Sequence, residues 1–248
     1  MPANDFTTKR LFVDASLKVG TVIDLDRARA SYLLNVLRLV QGTEILVFNG
    51  LEGEWIAEIE QRGRKNARLN VVRQTRPQTP PLDLHYVFAP IKQARMEYMV
   101  QKAVEMGVGV LQPVLTEYTQ LRKLNLEKMG NYVTEAAEQC GVLAIPEVRE
   151  PIRIDQLVDE FDSQRVLVFC NEHQESSNPL AALDAVRGKL ISVLIGPEGG
   201  FSAQERDLLM EQPFVAPISL GPRILRADTA AVAAFAIIQA TIGDWREV

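Results

Sequence analysis

Two short glycine-bearing stretches carry residues whose types and spacing could do chemistry. Leu194-Ile195-Gly196-Pro197-Glu198-Gly199-Gly200-Phe201 sets one carboxylate among three glycines, and Leu220-Gly221-Pro222-Arg223-Ile224-Leu225-Arg226 sets two guanidinium groups around an aliphatic pair, with Asp228, Thr229 and Ala230 just behind. A turn that cradles phosphate presents backbone amides and usually a lysine, in GxGxxG or GxxxxGK[ST] spacing. The first stretch has Glu198, no basic residue and neither spacing, which disfavours a dinucleotide or a nucleoside triphosphate. A carboxylate in a glycine loop suits a ligand with a local positive charge, or a base read through main-chain groups. In the second stretch Pro222 stiffens the turn, Ile224 and Leu225 offer an apolar shelf, and Arg223 and Arg226 bring donors beside it. Plainer readings stand beside these. Gly199 and Gly200 could serve only to permit unusual backbone angles, Ile224 and Leu225 could pack into core, and Arg226, Asp228 and Thr229 could do no more than cap a helix.

The elements that must position these loops are legible from pattern. Each loop follows a strand-like apolar run and precedes a helix-like segment, and Ser202 with Glu205 three places on forms a capping box that starts a helix near Ser202. Both loops are therefore expected at the carboxyl ends of neighbouring strands, where open α/β sheets place ligands. Strands are predicted over 84–89, 108–115, 165–170, 190–195 and 214–220, alternating with helices over 93–106, 126–140, 179–186, 203–211 and 227–242. Met96, Met99, Val100, Ala103 and Met106 share one helix face, as do Leu126, Met129, Val133, Ala136, Ala137 and Cys140; both faces read as core. Near-continuous apolar strands between helices make the fold class α/β, with a parallel sheet covered on both faces. Within the last helix, Ala230 to Ile238 leave almost no polar side, so it is either deep core or at a subunit contact, with a dimer contact favoured as at least part of the explanation.

The first part of the chain reads differently. Short strands are predicted near 11–13, 21–23, 44–48, 54–60 and 67–74, with one helix over 27–37, and Asn49-Gly50 marks a hairpin. A small β barrel would bury them. Three prolines between Pro77 and Pro81 disfavour helix and central strand. The expected domains are thus 1–75, a linker over 76–83, and 84–248.

Composition narrows the function classes. At 248 residues and 47% hydrophobic the chain has the makings of one or two ordinary cores, and no apolar run approaches a membrane span or a secretory leader, so a cytoplasmic address is the expectation. Cys140 and Cys170 lack CxxC spacing and the two histidines, His85 and His173, lack metal-ligand spacing, so no metal is expected. Net charge is −5, yet the first 80 residues carry 12 basic against 9 acidic side chains and the remainder 15 against 23. That asymmetry points to a polyanion partner for the first part, with ordinary surface scatter as the alternative.

The pairing of Gly196-Pro197-Glu198-Gly199-Gly200-Phe201-Ser202 with Leu220-Gly221-Pro222-Arg223-Ile224-Leu225-Arg226-Ala227-Asp228-Thr229-Ala230 strongly resembles the RsmE family of ribosomal RNA uridine-N3 methyltransferases. Val36-Leu37-Arg38, Gln41-Gly42, the run Gln101 to Gly107 and the run Glu135 to Gly141 extend the resemblance over nearly the whole chain. It implies a PUA-like N-terminal β barrel and a C-terminal SPOUT α/β domain tied into a trefoil knot. It also implies a homodimer with two subunits at each site. S-adenosylmethionine, a sulfonium carrying an adenine, meets the requirement already read from the loops, and the family binds it there. The implied cofactor residues are Leu194, Ile195, Gly196, Pro197, Glu198, Gly199, Gly200, Leu220, Gly221, Ile224, Leu225, Arg226, Thr229 and Ala230.

The implied reaction is methylation at N3 of one uridine of 16S rRNA, position 1498 in the usual rRNA numbering, on naked rRNA or the small ribosomal subunit. Arg226 would stabilise charge on a uracil oxygen, and Glu198 or Asp228 would accept the N3 proton. Arg10, Arg38 and Lys92 are the expected phosphate contacts; His173, after a strand end, is a weaker candidate for the rim. Ser31, Tyr118 and Val142 stand where the family often has histidine, arginine and arginine, which bears on RNA contact. Asp228 replaces a more usual glutamate, which bears on the active site. The alternatives are a knotted ribose 2′-O methyltransferase acting on another RNA and a non-catalytic RNA-binding assembly factor.

Overall fold

The computed structural model describes residues 7–63, 66–121, 123–171 and 178–247. It divides into two compact units, one of residues 1–80 with 137–145 and one of residues 81–136 with 146–248. In the first unit, β1 (Arg10–Phe12), β2 (Val22–Asp24), β3 (Glu44–Phe48), β4 (Glu54–Gln61) and β5 (Ala67–Arg76) form one sheet in the order β1-β3-β4-β5-β2. Only β1 and β3 run parallel; the β3–β4 hairpin pairs Phe48 with Glu54 across the Asn49-Gly50 loop. Leu11 from one edge strand and Ile23 from the other share a single core with Ile45, Val47, Ile59 and Leu69, so the sheet curls round one apolar interior. The helix expected over 27–37 is α1 (Arg27–Ser31) followed by a π-helical turn over Tyr32–Val36. The turn ends at Val36, and Arg38 two residues on has a positive φ of 56°.

The second unit holds α2 (Gln93–Glu105), α3 (Leu126–Cys140, its last turn counted with the first unit), α4 (Ile154–Asp159), α5 (Pro179–Ala185), α6 (Ala203–Met210) and α7 (Ala227–Thr241). Its strands are β6 (Leu84–Phe88), β7 (Val108–Leu115), β8 (Glu147–Val148), β9 (Ile152–Arg153), β10 (Arg165–Cys170), β11 (Leu190–Ile195) and β12 (Val215–Ile218). All pair in parallel in the order β12-β10-β11-β6-β7-β8, with β9 beside β7. Period-two alternation sorts the two faces. Val87, Leu167, Phe169 and Leu194 pack with Ile154, Leu157 and Leu209 of α4 and α6, while Tyr86 stacks on Phe88 and meets Phe235 of α7 edge-on at 4.9 Å.

Three differences from the pattern reading matter. The strand expected over 214–220 stops at Ile218, and its Pro217 is tolerated because β12 lies at the sheet edge. The irregular stretch after α3 contains β8, β9 and α4, too short for periodicity to reveal. β11 and β12 are also not neighbours, because β10 lies between them. Sequence order cannot disclose that crossover.

Candidate active site

Because β12, β10 and β11 lie side by side and point the same way, their carboxyl ends open onto one place. There a cleft of about 290 Å³ is lined by Cys170 and Asn171 after β10, by Ile195, Gly196, Pro197, Gly200, Phe201 and Arg206 around the loop after β11, and by residues 219–225, Ala227 and Ala230 around the loop after β12. The two glycine stretches thus converge. Residues from the end of β10 complete the floor, and sequence reading missed them because Cys170 and Asn171 carry no motif.

The first loop is built by packing as much as by glycine freedom. A Cβ on Gly196 would stand 2.6 Å from the ring of Phe201, which is buried edge-on against Phe169 at 5.1 Å. Gly200 has φ +68°, a conformation that side chains resist, whereas Gly199 is constrained by contact with Tyr118. The capping box forms as expected: Ser202 Oγ accepts from Glu205 N, and Glu205 returns a bond to Ser202 N at 2.9 Å. Buried Glu205 does more than cap, since its other oxygen accepts from Glu117 N at 2.7 Å and ties the 116–119 turn to the start of α6.

In the second loop Ile224 is 97% exposed, so it does not pack into core; it borders the cleft with Leu220, Gly221 and half-buried Leu225. Arg223 and Arg206 also border it, and Arg206 Nη1 donates to Phe201 O at 2.6 Å. Burial pushes the Cys170 thiol up to about 12, leaving S–H on the cleft floor.

Of the residues singled out in the sequence, Ile195, Gly196, Pro197, Gly200, Leu220, Gly221, Ile224, Leu225 and Ala230 border the cleft. Leu194 is buried behind it in β11. Glu198, Gly199 and Arg226 lie on the same loops, and Asp228 and Thr229 in the first turn of α7, without lining it. Glu198 faces Arg95, with Oε1 3.6 Å from Nη1. Arg226 is exposed at the N-cap position of α7 and makes no side-chain cap, and Asp228 in the first turn accepts from Thr229 N at 2.8 Å. Lys92 is exposed at the N-cap position of α2, and Arg38 is exposed in the first unit.

Arg10 is a correction. Its side chain is 6% exposed and ion-paired at 2.7 Å with Glu54, which also binds Arg76 at 2.8 Å, so it is unavailable to a phosphate. A buried carboxylate needing two cations has claimed it. Ser31 Oγ accepts from Asn35 Nδ2 at 3.1 Å, and Val142 is half-buried. His173 lies outside the described residues.

Comparison with known proteins agrees with this geometry. A model described as an RNA methyltransferase domain matches residues 78–239, and one described as an RNA methyltransferase PUA domain matches residues 25–72. Among curated relatives, the ribosomal RNA small subunit methyltransferase E of Synechocystis sp. is 31% identical over 94% of this chain and 78% of its own length. That of Rickettsia conorii is 29% identical over 93% and 94%. A crystal structure of a ribosomal RNA small subunit methyltransferase E from Neisseria gonorrhoeae, bound to S-adenosyl methionine, superposes with a TM-score of 0.83 at 28% identity, covering 94% of this chain and 97% of that one. With an RNA methyltransferase model spanning most of its length and a 31% identical relative, this chain belongs to the ribosomal RNA small subunit methyltransferase E family.

Proposed function

We propose that the protein transfers a methyl group from S-adenosylmethionine to N3 of a uridine in 16S rRNA, position 1498 in the usual rRNA numbering. The observation that carries this reading is the convergence of the loops after β10, β11 and β12 on one cleft in a chain of this family. The lining fits the cofactor. Ile195, Phe201, Leu220, Ile224 and Leu225 offer apolar surface to an adenine. The bare backbone at Gly196, Gly200 and Gly221 allows close approach to main-chain groups, and Arg206 and Arg223 suit a carboxylate. Bound there, S-adenosylmethionine supplies an electrophilic methyl on a sulfonium.

The chain's own residues hold the reacting groups and move the proton. Arg226, whose side chain caps nothing, is free to stabilise charge developing on a uracil oxygen. Glu198 or Asp228 accepts the N3 proton as the N–CH₃ bond forms, directly or through a water. Leu194, Pro197, Gly199, Thr229 and Ala230 shape the loops around the cofactor. Arg38 and Lys92, both exposed, bind phosphate. The domain division read from sequence is kept: residues 1–75 as a PUA-like RNA-binding domain, 76–83 as a linker, and 84–248 as a SPOUT domain. The passage of β12 to the far side of β10 supports a trefoil knot there. On α7, half-buried Val232, Ala233, Ala236 and Ile237 support a homodimer contact. No described helix is long and apolar enough to cross a membrane, and a cytoplasmic location fits a ribosomal substrate.

The test is nucleoside mass spectrometry of rRNA from unmodified small subunits incubated with protein and S-adenosylmethionine. N3-methyluridine is the expected product. A ribose-methylated nucleoside would move the reading to a 2′-O methyltransferase, and no heat of binding with S-adenosylmethionine by calorimetry would leave an RNA-binding assembly factor.

A further inference from the structure

The loop after β11 has a side away from the cleft. Gly196, Pro197 and Gly200 border the cleft, but Glu198 and Gly199 between them meet other partners. Glu198 faces Arg95 in the first turn of α2, in an ion pair whose arginine and glutamate side chains are 40% and 32% exposed, so the arginine is lightly held. Gly199 faces Tyr118, since a Cβ added to it would stand 3.2 Å from Tyr118 Cβ. The tyrosine is 46% exposed, yet its backbone is pinned. Thr116 N donates to Thr119 Oγ1 at 2.9 Å, both threonines are buried, and Glu117 N is held by Glu205. An exposed aromatic ring on a fixed rim, with a loosely held guanidinium on the adjoining residue of the same turn, has the two parts needed to hold an unstacked nucleotide. One is a stacking platform for the base and the other a cation for its phosphate.

We propose that Tyr118 and Arg95 form a subsite for the nucleotide flanking the acceptor, on this outer side of the glycine loop. Tyr118 stacks a base next to the one methylated in the cleft, and Arg95 exchanges the Glu198 carboxylate for an RNA phosphate, which frees Glu198 as the RNA arrives. The subsite rests on the RNA-methylation reading given above.

The test uses the full chain, unmodified small subunits and labelled S-adenosylmethionine, with cofactor affinity measured separately by calorimetry. Tyr118→Ala is expected to raise KM for subunits roughly tenfold with cofactor affinity unchanged, and Tyr118→Phe to match wild type. Arg95→Ala is expected to flatten the dependence of log affinity on log salt by about 0.7 to 0.9, and Arg95→Lys to restore it. An unchanged KM in Tyr118→Ala, an equal loss of cofactor affinity in that variant, or an unaltered salt slope in Arg95→Ala would overturn the subsite. If wild type methylates no subunit, the functional reading fails separately. Binding of an oligonucleotide carrying a fluorescent base then decides the subsite alone: quenching that wild type and Tyr118→Ala show equally would exclude it.

Discussion

At the scale of single residues, the site depends on atoms that are missing. Gly196 has no Cβ because the ring of Phe201 occupies that space, and Phe201 cannot yield without disturbing Phe169 in the core. Gly196→Ala should therefore move the loop and weaken S-adenosylmethionine binding at least tenfold, read by calorimetry; unchanged affinity would show that the loop tolerates displacement. Gly130 is the contrast. It sits inside α3 without a positive φ, and among the described residues nothing lies within 4 Å of where its Cβ would stand, so Gly130→Ala should stabilise the protein by about 1 kcal/mol. A shift in urea midpoint of the opposite sign would refute this. Residue types alone made the two glycine loops conspicuous, but they could not distinguish a glycine needed for space from one needed for φ. That distinction lies in Phe201 and Tyr118, which arrive from packing.

Among the elements, the segment over 137–145 shows where pattern reading stops. Helical spacing disclosed α3 and its apolar face, and Met129, Val133, Ala136 and Ala137 are indeed buried. Nothing in that spacing said that the end of the helix would be gripped by charge. Glu138 O accepts from Arg10 Nη1 at 3.1 Å, Gly141 O from Arg76 Nη2 at 3.0 Å, and Glu138 Oε1 from Phe12 N at 2.8 Å. Glu54 stands between the two arginines; burial pushes its carboxyl up, but the bonds from Arg76 and Arg10 outweigh that and hold it below the usual range. Glu54→Gln would leave two guanidinium groups without their counter-charge and is expected to cost about 3 kcal/mol. Chemical denaturation should show this as a lowered midpoint, and a loss under about 1 kcal/mol would mean the arginines find other acceptors. The same long-range logic hid Arg10: its type suited a phosphate contact, and only the fold reveals the carboxylate that binds it.

For the molecule as a whole, the alternation of strands and helices was enough to read an α/β sheet with both glycine loops at the carboxyl ends of strands, while the order β12-β10-β11 was not, because periodicity carries no information about which strands meet. The opposite, amino end of the sheet has its own chemistry. His85, the second residue of β6, lies there with Nε2 3.3 Å from Asp83; burial, and then the nearby Arg165, push its pKa down to about 4. Unfolded, it titrates near its ordinary value of about 6.5, so between those values the unfolded chain binds the extra proton. Stability from this group is complete above the unfolded value and is lost as pH falls toward the folded one. His85→Gln should thus lose less stability than wild type between about pH 7 and about pH 4.5, and parallel losses in the two proteins would assign the acid sensitivity elsewhere. The sulfur on the cleft floor has a quieter consequence. With burial pushing its pKa up to about 12, Cys170 stays a thiol at neutral pH. In the proposed methyl transfer this keeps the sulfur a poor nucleophile toward an alkyl donor held in the cleft it borders, and leaves that donor to the RNA.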